Sequence, residues 1–319
     1  MSESVTLHDV YEARRIISRY LPRTPLITSF SLSKRLGVEA YIKCENLLPT
    51  GSFKVRGGLN LISMLTEEEK SKGVITASTG NHGQSVAYAA SLFDVKAIIG
   101  MPKGSNPFKV EAMKDLGAIV KFHGVDFDEA RLWVEKEAKK KGYRYIHPAN
   151  EPLLIAGVGT LYLEIMEDLP DIKVIIMPIG GGSGASAACI VAKSINPDVK
   201  IFGVQAEKAP AVYLSWKSKK MVETKSAETF AEGIATRVPF KLTINLINNL
   251  IDNIILVSEE EIKRAILTLL ETTHQLSEGA GAASTAAAFK IRDKLQGKKV
   301  ALVLTGGNLT LQTLKTILK

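Results

Sequence analysis

Lys173-Val174-Ile175-Ile176-Met177-Pro178-Ile179-Gly180-Gly181-Gly182-Ser183-Gly184-Ala185-Ser186-Ala187-Ala188 decides the fold class. Val174 to Met177 is continuously apolar, as expected of a strand covered by helices on both faces. The glycines that follow let several amides turn inward around an anion, an arrangement that side chains would obstruct. Small residues from Ala185 onward then open a helix. Strand, glycine loop and helix form the repeating unit of an α/β protein with parallel strands. The loop is not a Walker loop, because no Gly-Lys-Ser/Thr follows. Gly180, Gly182 and Ala185 do match the loose dinucleotide pattern, so a nicotinamide oxidoreductase stays open at this point. Its expected acidic ribose ligand falls near the uncharged Gln205, with Glu207 the nearest substitute.

The same rhythm extends in both directions. Strands are expected at 39–44, 73–77, 96–100, 119–122, 173–177, 200–204, 253–257 and 299–305. Thr66 before Glu67-Glu68-Glu69 and Ser258 before Glu259-Glu260-Glu261 each put a hydroxyl ahead of acidic first-turn residues, a helix-start signal. After Ser258, Ile262, Ala265, Ile266, Leu269 and Leu270 are expected on one buried face.

At 319 residues the chain exceeds what one growing core accommodates, about 250–300 residues, so two lobes are expected. Crossings between them are placed near His147-Pro148-Ala149-Asn150 and between Leu59 and Gly73. The large lobe is assigned to 1–72 and 149–319, and a small mobile lobe to 73–148. The net charge is +8, but Lys and Arg are spread along the chain, which favours anionic small molecules over nucleic acid. Lys136 to Lys141 with Arg144 reads as a solvated helix face. Two cysteines, Cys44 and Cys189, fit reduced cytosolic thiols better than a disulfide framework. A polar start and the lack of any apolar run near 18 residues argue against a targeting signal or membrane span, so a cytoplasmic location is expected.

Three further segments carry chemistry. In Pro49-Thr50-Gly51-Ser52-Phe53-Lys54-Val55-Arg56-Gly57-Gly58 a lysine follows a turn. Partial burial, or a nearby cation such as Arg56, would lower its pKa and free the amine for Schiff-base formation. Ser78-Thr79-Gly80-Asn81-His82 lies where a strand gives way to a helix, whose unpaired amides attract a carboxylate or phosphate. His82 has no companion at ligand spacing, so no metal is assigned to it. Finally, Leu302-Val303-Leu304-Thr305-Gly306-Gly307-Asn308 is a buried strand ending in a hydroxyl.

Taken in order, these segments resemble the fold-type-II pyridoxal-phosphate (PLP) enzymes, and most closely the threonine/serine dehydratase (threonine ammonia-lyase) and serine racemase branch. The resemblance runs through nearly the whole chain, including Arg23-Thr24-Pro25-Leu26, Ile155-Ala156-Gly157, Glu232-Gly233 and Ser277-Glu278-Gly279. It implies an α/β fold of two open, twisted, mostly parallel sheets flanked by helices, like the tryptophan synthase β chain. It implies that Lys54 holds PLP as a Schiff base and later moves the Cα proton, with Phe53 beside the cofactor. Asn81 then bonds the ring hydroxyl, Gly180, Gly181, Gly182, Ser183 and Gly184 hold the phosphate, and Thr305 meets the pyridine nitrogen. Gly233 and Glu278 line the pocket, and Ser78, Thr79, Gly80, Asn81 and His82 receive the substrate carboxylate.

The implied reaction is deamination of L-threonine, and of L-serine, to a 2-oxo acid and ammonia. A serine racemase or hydroxyaspartate ammonia-lyase is the alternative, and threonine synthase is more distant. Racemases carry an acid/base serine where this chain has Thr79, which argues against racemisation. The divalent-cation site of racemase relatives would fall at Gln205 and Ala211, so no metal is expected there. A homodimer or homotetramer, with no nucleic-acid or membrane partner, completes the expectation.

Overall fold

The computed structural model describes residues 5–319. Its strands are β1 (Leu26–Thr28), β2 (Glu39–Cys44), β3 (Val74–Ala77), β4 (Ala97–Met101), β5 (Ile119–Phe122), β6 (Arg144–Tyr145), β7 (Val174–Pro178), β8 (Lys200–Ala206), β9 (Asn253–Val257) and β10 (Lys299–Leu304). They form a six-stranded sheet ordered β1-β2-β10-β7-β8-β9 and a four-stranded sheet ordered β5-β4-β3-β6. All pairings are parallel except that of β1 with β2.

The continuously apolar strands occupy the centre of the large sheet, and their alternate residues feed opposite layers. Ile175 and Met177 of β7, with Ala301 and Val303 of β10, enter one core beneath the helices Lys54–Ser63, Pro152–Asp168 and Ser183–Ile195. Val174, Ile176, Val300, Leu302 and Leu304 enter the other, beneath Glu259–Thr273 and Gly279–Lys290. Both faces are therefore desolvated, which explains why no polar residue interrupts either strand from Val174 to Pro178 or from Val300 to Leu304.

In the small sheet, Ile75 and Ala77 of β3 and Ile98 of β4 pack on Val134 and Ala138 of the helix Phe127–Lys141. Val74, Ile99 and Met101 face the other way and join the first core of the large sheet. Both expected caps form as capping boxes, Thr66 with Glu69 and Ser258 with Glu261.

Two side chains differ from the sequence reading. Leu270 is 38% exposed, because at 3.6 residues per turn it lies about 80° around the helix from Ile262. Arg144 is not on the basic helix face. It lies in β6 and grips Glu151 through both terminal nitrogens, at 2.9 Å each. Strand β5, at the sheet edge, is mostly exposed.

Candidate active site

The strand ends of the two sheets face a cavity of about 1030 Å³. Phe53 and Lys54, Ser78 to His82, Gly180 to Gly184, and Gly233, Glu278 and Thr305 all line it. Chain segments far apart in sequence thus converge on one space.

Lys54 begins the helix Lys54–Ser63, and its Nζ donates to Ser183 Oγ at 3.1 Å and to the Pro148 carbonyl at 3.5 Å. Nζ also sits 5.2 Å from the centre of the Phe53 ring. Enclosure by the surrounding walls lowers its pKa from 10.5 to about 8. Arg56 plays no part in that shift. It is fully buried and directed into a separate network, with bonds of 2.7 and 2.9 Å to Glu45 and of 2.7 and 2.9 Å to Glu164. Lys43 joins at 2.6 Å from Glu164 and Thr24 at 2.6 Å from Glu45, so two buried cations balance two buried carboxylates.

The glycine loop joins β7 to the helix Ser183–Ile195, and Gly182 takes a left-handed φ of 94°. Among the described residues, the amides from Gly180 to Ala185 donate to no protein acceptor, whereas those of Ile179 and Ser186 do. The loop lies against the backbone of Gly233, whose carbonyl oxygen would be 2.2 Å from a Cβ at position 180. Glycine is needed here for that close approach. A run of unpaired amides at a helix N-terminus is an anion site.

At the second loop, Ser78 Oγ accepts from the amides of Gly80 at 3.2 Å and Gly83 at 2.9 Å, so it holds the loop shape. The amides of Thr79, Asn81 and His82 have no acceptor among the described residues. Thr76 donates its hydroxyl hydrogen to the Ile146 carbonyl at 2.7 Å, so His82 Nε2, 3.0 Å from the same hydroxyl, must be the donor between them. Burial first, then Lys54, lowers the His82 pKa to about 3, and the ring is neutral. Asn81 Nδ2 donates to Glu278 Oε1 at 2.7 Å. Burial raises the Glu278 carboxyl to about 7.

His147 and Asn308 are among the lining residues that were not assigned a site role from sequence. His147 was read as a lobe crossing; its Nδ1 accepts from the amides of Ala149 at 3.0 Å and Asn150 at 2.9 Å, which makes the ring a neutral Nε2–H donor. Asn308 bonds Asn81 across the cavity wall at 2.7 Å. The Gly306-Gly307 pair before Asn308, directly after a buried strand, was the one signal available for it.

The residues present fit a phosphorylated aldehyde: an amine shifted toward its neutral form, a nest of unpaired amides within the same cavity, an asparagine amide, and the Thr305 hydroxyl at the end of β10. The profile of the family described as pyridoxal-phosphate dependent enzyme matches residues 17–306. The chain is 43% identical over 314 residues to the L-threonine ammonia-lyase of Thermotoga maritima, covering 98% of this chain and 78% of that one. Its fold superposes on maize serine racemase with a TM-score of 0.94 at 31% identity, covering 98% and 97% of the two chains. The processed threonine deaminase isoform 2 of Solanum lycopersicum gives 0.92 at 32%, covering 99% and 94%. With the family established, the nicotinamide reading of the glycine loop is set aside, and Glu207 instead pairs with Lys290 at 3.0 Å. The chain belongs to the pyridoxal-phosphate dependent enzymes.

Proposed function

We propose that this enzyme is an L-threonine ammonia-lyase that also accepts L-serine, converting each to its 2-oxo acid, 2-oxobutyrate or pyruvate, and ammonia. The observation that carries the reading is the placement of the Lys54 amine, the unpaired Gly180 to Ala185 amides and the Thr305 hydroxyl around one cavity. The high-coverage likeness to a threonine ammonia-lyase supports the substrate. PLP, when bound, supplies a sink for the electron pair left as the Cα proton departs.

The chain's own residues divide the remaining work. The amides and hydroxyl from Gly180 to Gly184 hold the phosphate, Phe53 packs beside the ring, and Gly233 and Glu278 complete the walls. Asn81 Nδ2 donates to the ring oxygen. The substrate carboxylate lies on the Ser78 to His82 loop, against the free amides of Thr79, Asn81 and His82. Lys54 Nζ, oriented by Ser183 Oγ, takes the Cα proton. Thr305, a neutral hydroxyl, does not hold a proton on the ring nitrogen as a carboxylate would, so loss of the β-hydroxyl outruns return of the proton to Cα. The β-hydroxyl leaves as water and the released enamine is hydrolysed, so threonine yields one 2-oxobutyrate and one ammonia.

Residues 73–148 act as a small mobile lobe, with the ion pairs Lys109–Glu232 and Arg237–Asp128 tying it across the cavity mouth. Association of copies into a dimer or tetramer belongs to the same reading. The two buried free thiols support a cytoplasmic setting. Turnover of L-threonine and L-serine, with 2-oxo acid and ammonia counted together, tests the reading. Equal release of both products supports it. Conversion of L-serine to D-serine without 2-oxo acid would replace it with the racemase reading that the maize likeness favours.

A further inference from the structure

The loop after β10 carries a side chain that the chemistry above leaves without a task. Asn308 Nδ2 donates to the Thr50 carbonyl at 2.9 Å and to Asn81 Oδ1 at 2.7 Å. A backbone carbonyl only accepts, so it is the nitrogen of Asn308 that faces Thr50, and its second hydrogen serves Asn81. Asn81 must then turn its oxygen toward Asn308, which leaves its own nitrogen for Glu278 and the cavity.

The two ends of an asparagine amide are nearly identical in shape, so packing alone does not choose between them. One main-chain acceptor, in the loop that leads into Lys54, therefore sets the polarity of the Asn308–Asn81–Glu278 chain. The junction is tight. A Cβ at Gly51 would lie 2.6 Å from Asn308 Oδ1, and the Gly307 amide bonds the Gly51 carbonyl at 2.9 Å. The same strand end is tied to the Lys54 segment by the bond from the Phe53 amide to the Thr305 carbonyl at 3.0 Å.

We propose that Asn308 is a positioning residue that keeps the amide N–H of Asn81, and not its carbonyl, directed at the cofactor ring. This rests on the role proposed above for Asn81. A donor at that point favours an ionised ring oxygen, and a carbonyl opposes it. Asn308→Asp preserves shape but removes both hydrogens. An ionised Asp at 308 accepts from Asn81 only when the Asn81 amide has turned over, which presents the wrong end to the cavity.

Equilibrium dialysis of the holoenzyme reads the effect as cofactor retention, in the wild type, Asn308→Asp, Asn81→Ala and the double variant, with a thermal melt of each. Asn308→Asp should weaken cofactor binding about tenfold, the scale of one mispaired buried polar group. In the Asn81→Ala background the added effect should fall below about twofold. Asn308→Ser, which removes the bridging amide without adding charge, is run beside it and should show the same dependence on Asn81, so that a folding defect in one variant does not decide the outcome. Equal losses in both backgrounds would mean that Asn308 acts only by holding the loop, and would overturn the proposal. Wild-type retention by Asn81→Ala alone would instead remove the Asn81 role on which it rests.

Discussion

Gly180→Ala should disable cofactor binding while leaving the fold intact. The new methyl would lie 2.2 Å from the Gly233 carbonyl oxygen, where a real Cβ contact requires more than 3.0 Å. Gly233 itself packs closely on Ala280, 2.8 Å from where a Cβ of its own would lie, so the glycine loop is taken as the part that yields. The glycine loop must therefore move by about 1 Å, a displacement that costs on the order of 100-fold where geometry is critical. One or two amide bonds to a phosphate would be lost, each worth roughly 1.5–3 kcal/mol, so cofactor affinity should fall between about tenfold and about 10⁴-fold. Equilibrium dialysis against PLP measures this, with a thermal melt of the cofactor-free protein as control. Unchanged retention in a normally melting variant would refute the reading of this loop as the phosphate cradle.

Other consequences follow from burial and charge. Because burial lowers the Lys54 pKa to about 8, PLP capture by the cofactor-free chain should rise through about pH 8 and level off by about pH 9. Stopped-flow absorbance would expose a steady rise to pH 10 as the contrary result. Replacing Arg56 with Leu strands Glu45 without its cation and leaves Glu164 with Lys43 alone, and should cost about 3–5 kcal/mol in urea unfolding. A loss below about 1 kcal/mol would show that the network is not the anchor described. Between its ordinary range and pH 7 the folded chain keeps the Glu278 proton that the unfolded chain has released, so this group's contribution to stability falls as pH rises through that window. Glu278→Gln should remove that decline in urea melts of the cofactor-free protein from pH 5 to 8, and an unaltered pH slope would contradict it.

The sequence was most readable where local pattern and burial coincide. Strand β7, and β10 from Val300 onward, are apolar because helices cover both their faces, and the glycine loop is conspicuous because its backbone must lie against Gly233. Strands β1 and β6, three and two residues long, are too short to show any period. Arg56 was misread as a neighbour of Lys54. Residues two apart on a helix point about 200° away from each other, and its partners lie 11 and 108 residues away. Asn308 escaped for a similar reason, because it meets Asn81 across 227 residues and only the assembled fold brings them together. The basic helix face was legible from its spacing, while the turn of Arg144 toward Glu151 depended on a strand that the pattern did not reveal.

The visible spectrum of the purified protein, followed in the same cuvette by L-threonine and a 2-oxobutyrate readout, tests the central role of Lys54 most directly. The wild type should show the yellow absorbance of the bound cofactor and release 2-oxobutyrate, and Lys54→Ala should show neither. A wild type that stays colourless with added PLP, or a Lys54→Ala variant that turns over threonine at the normal rate, would contradict the account.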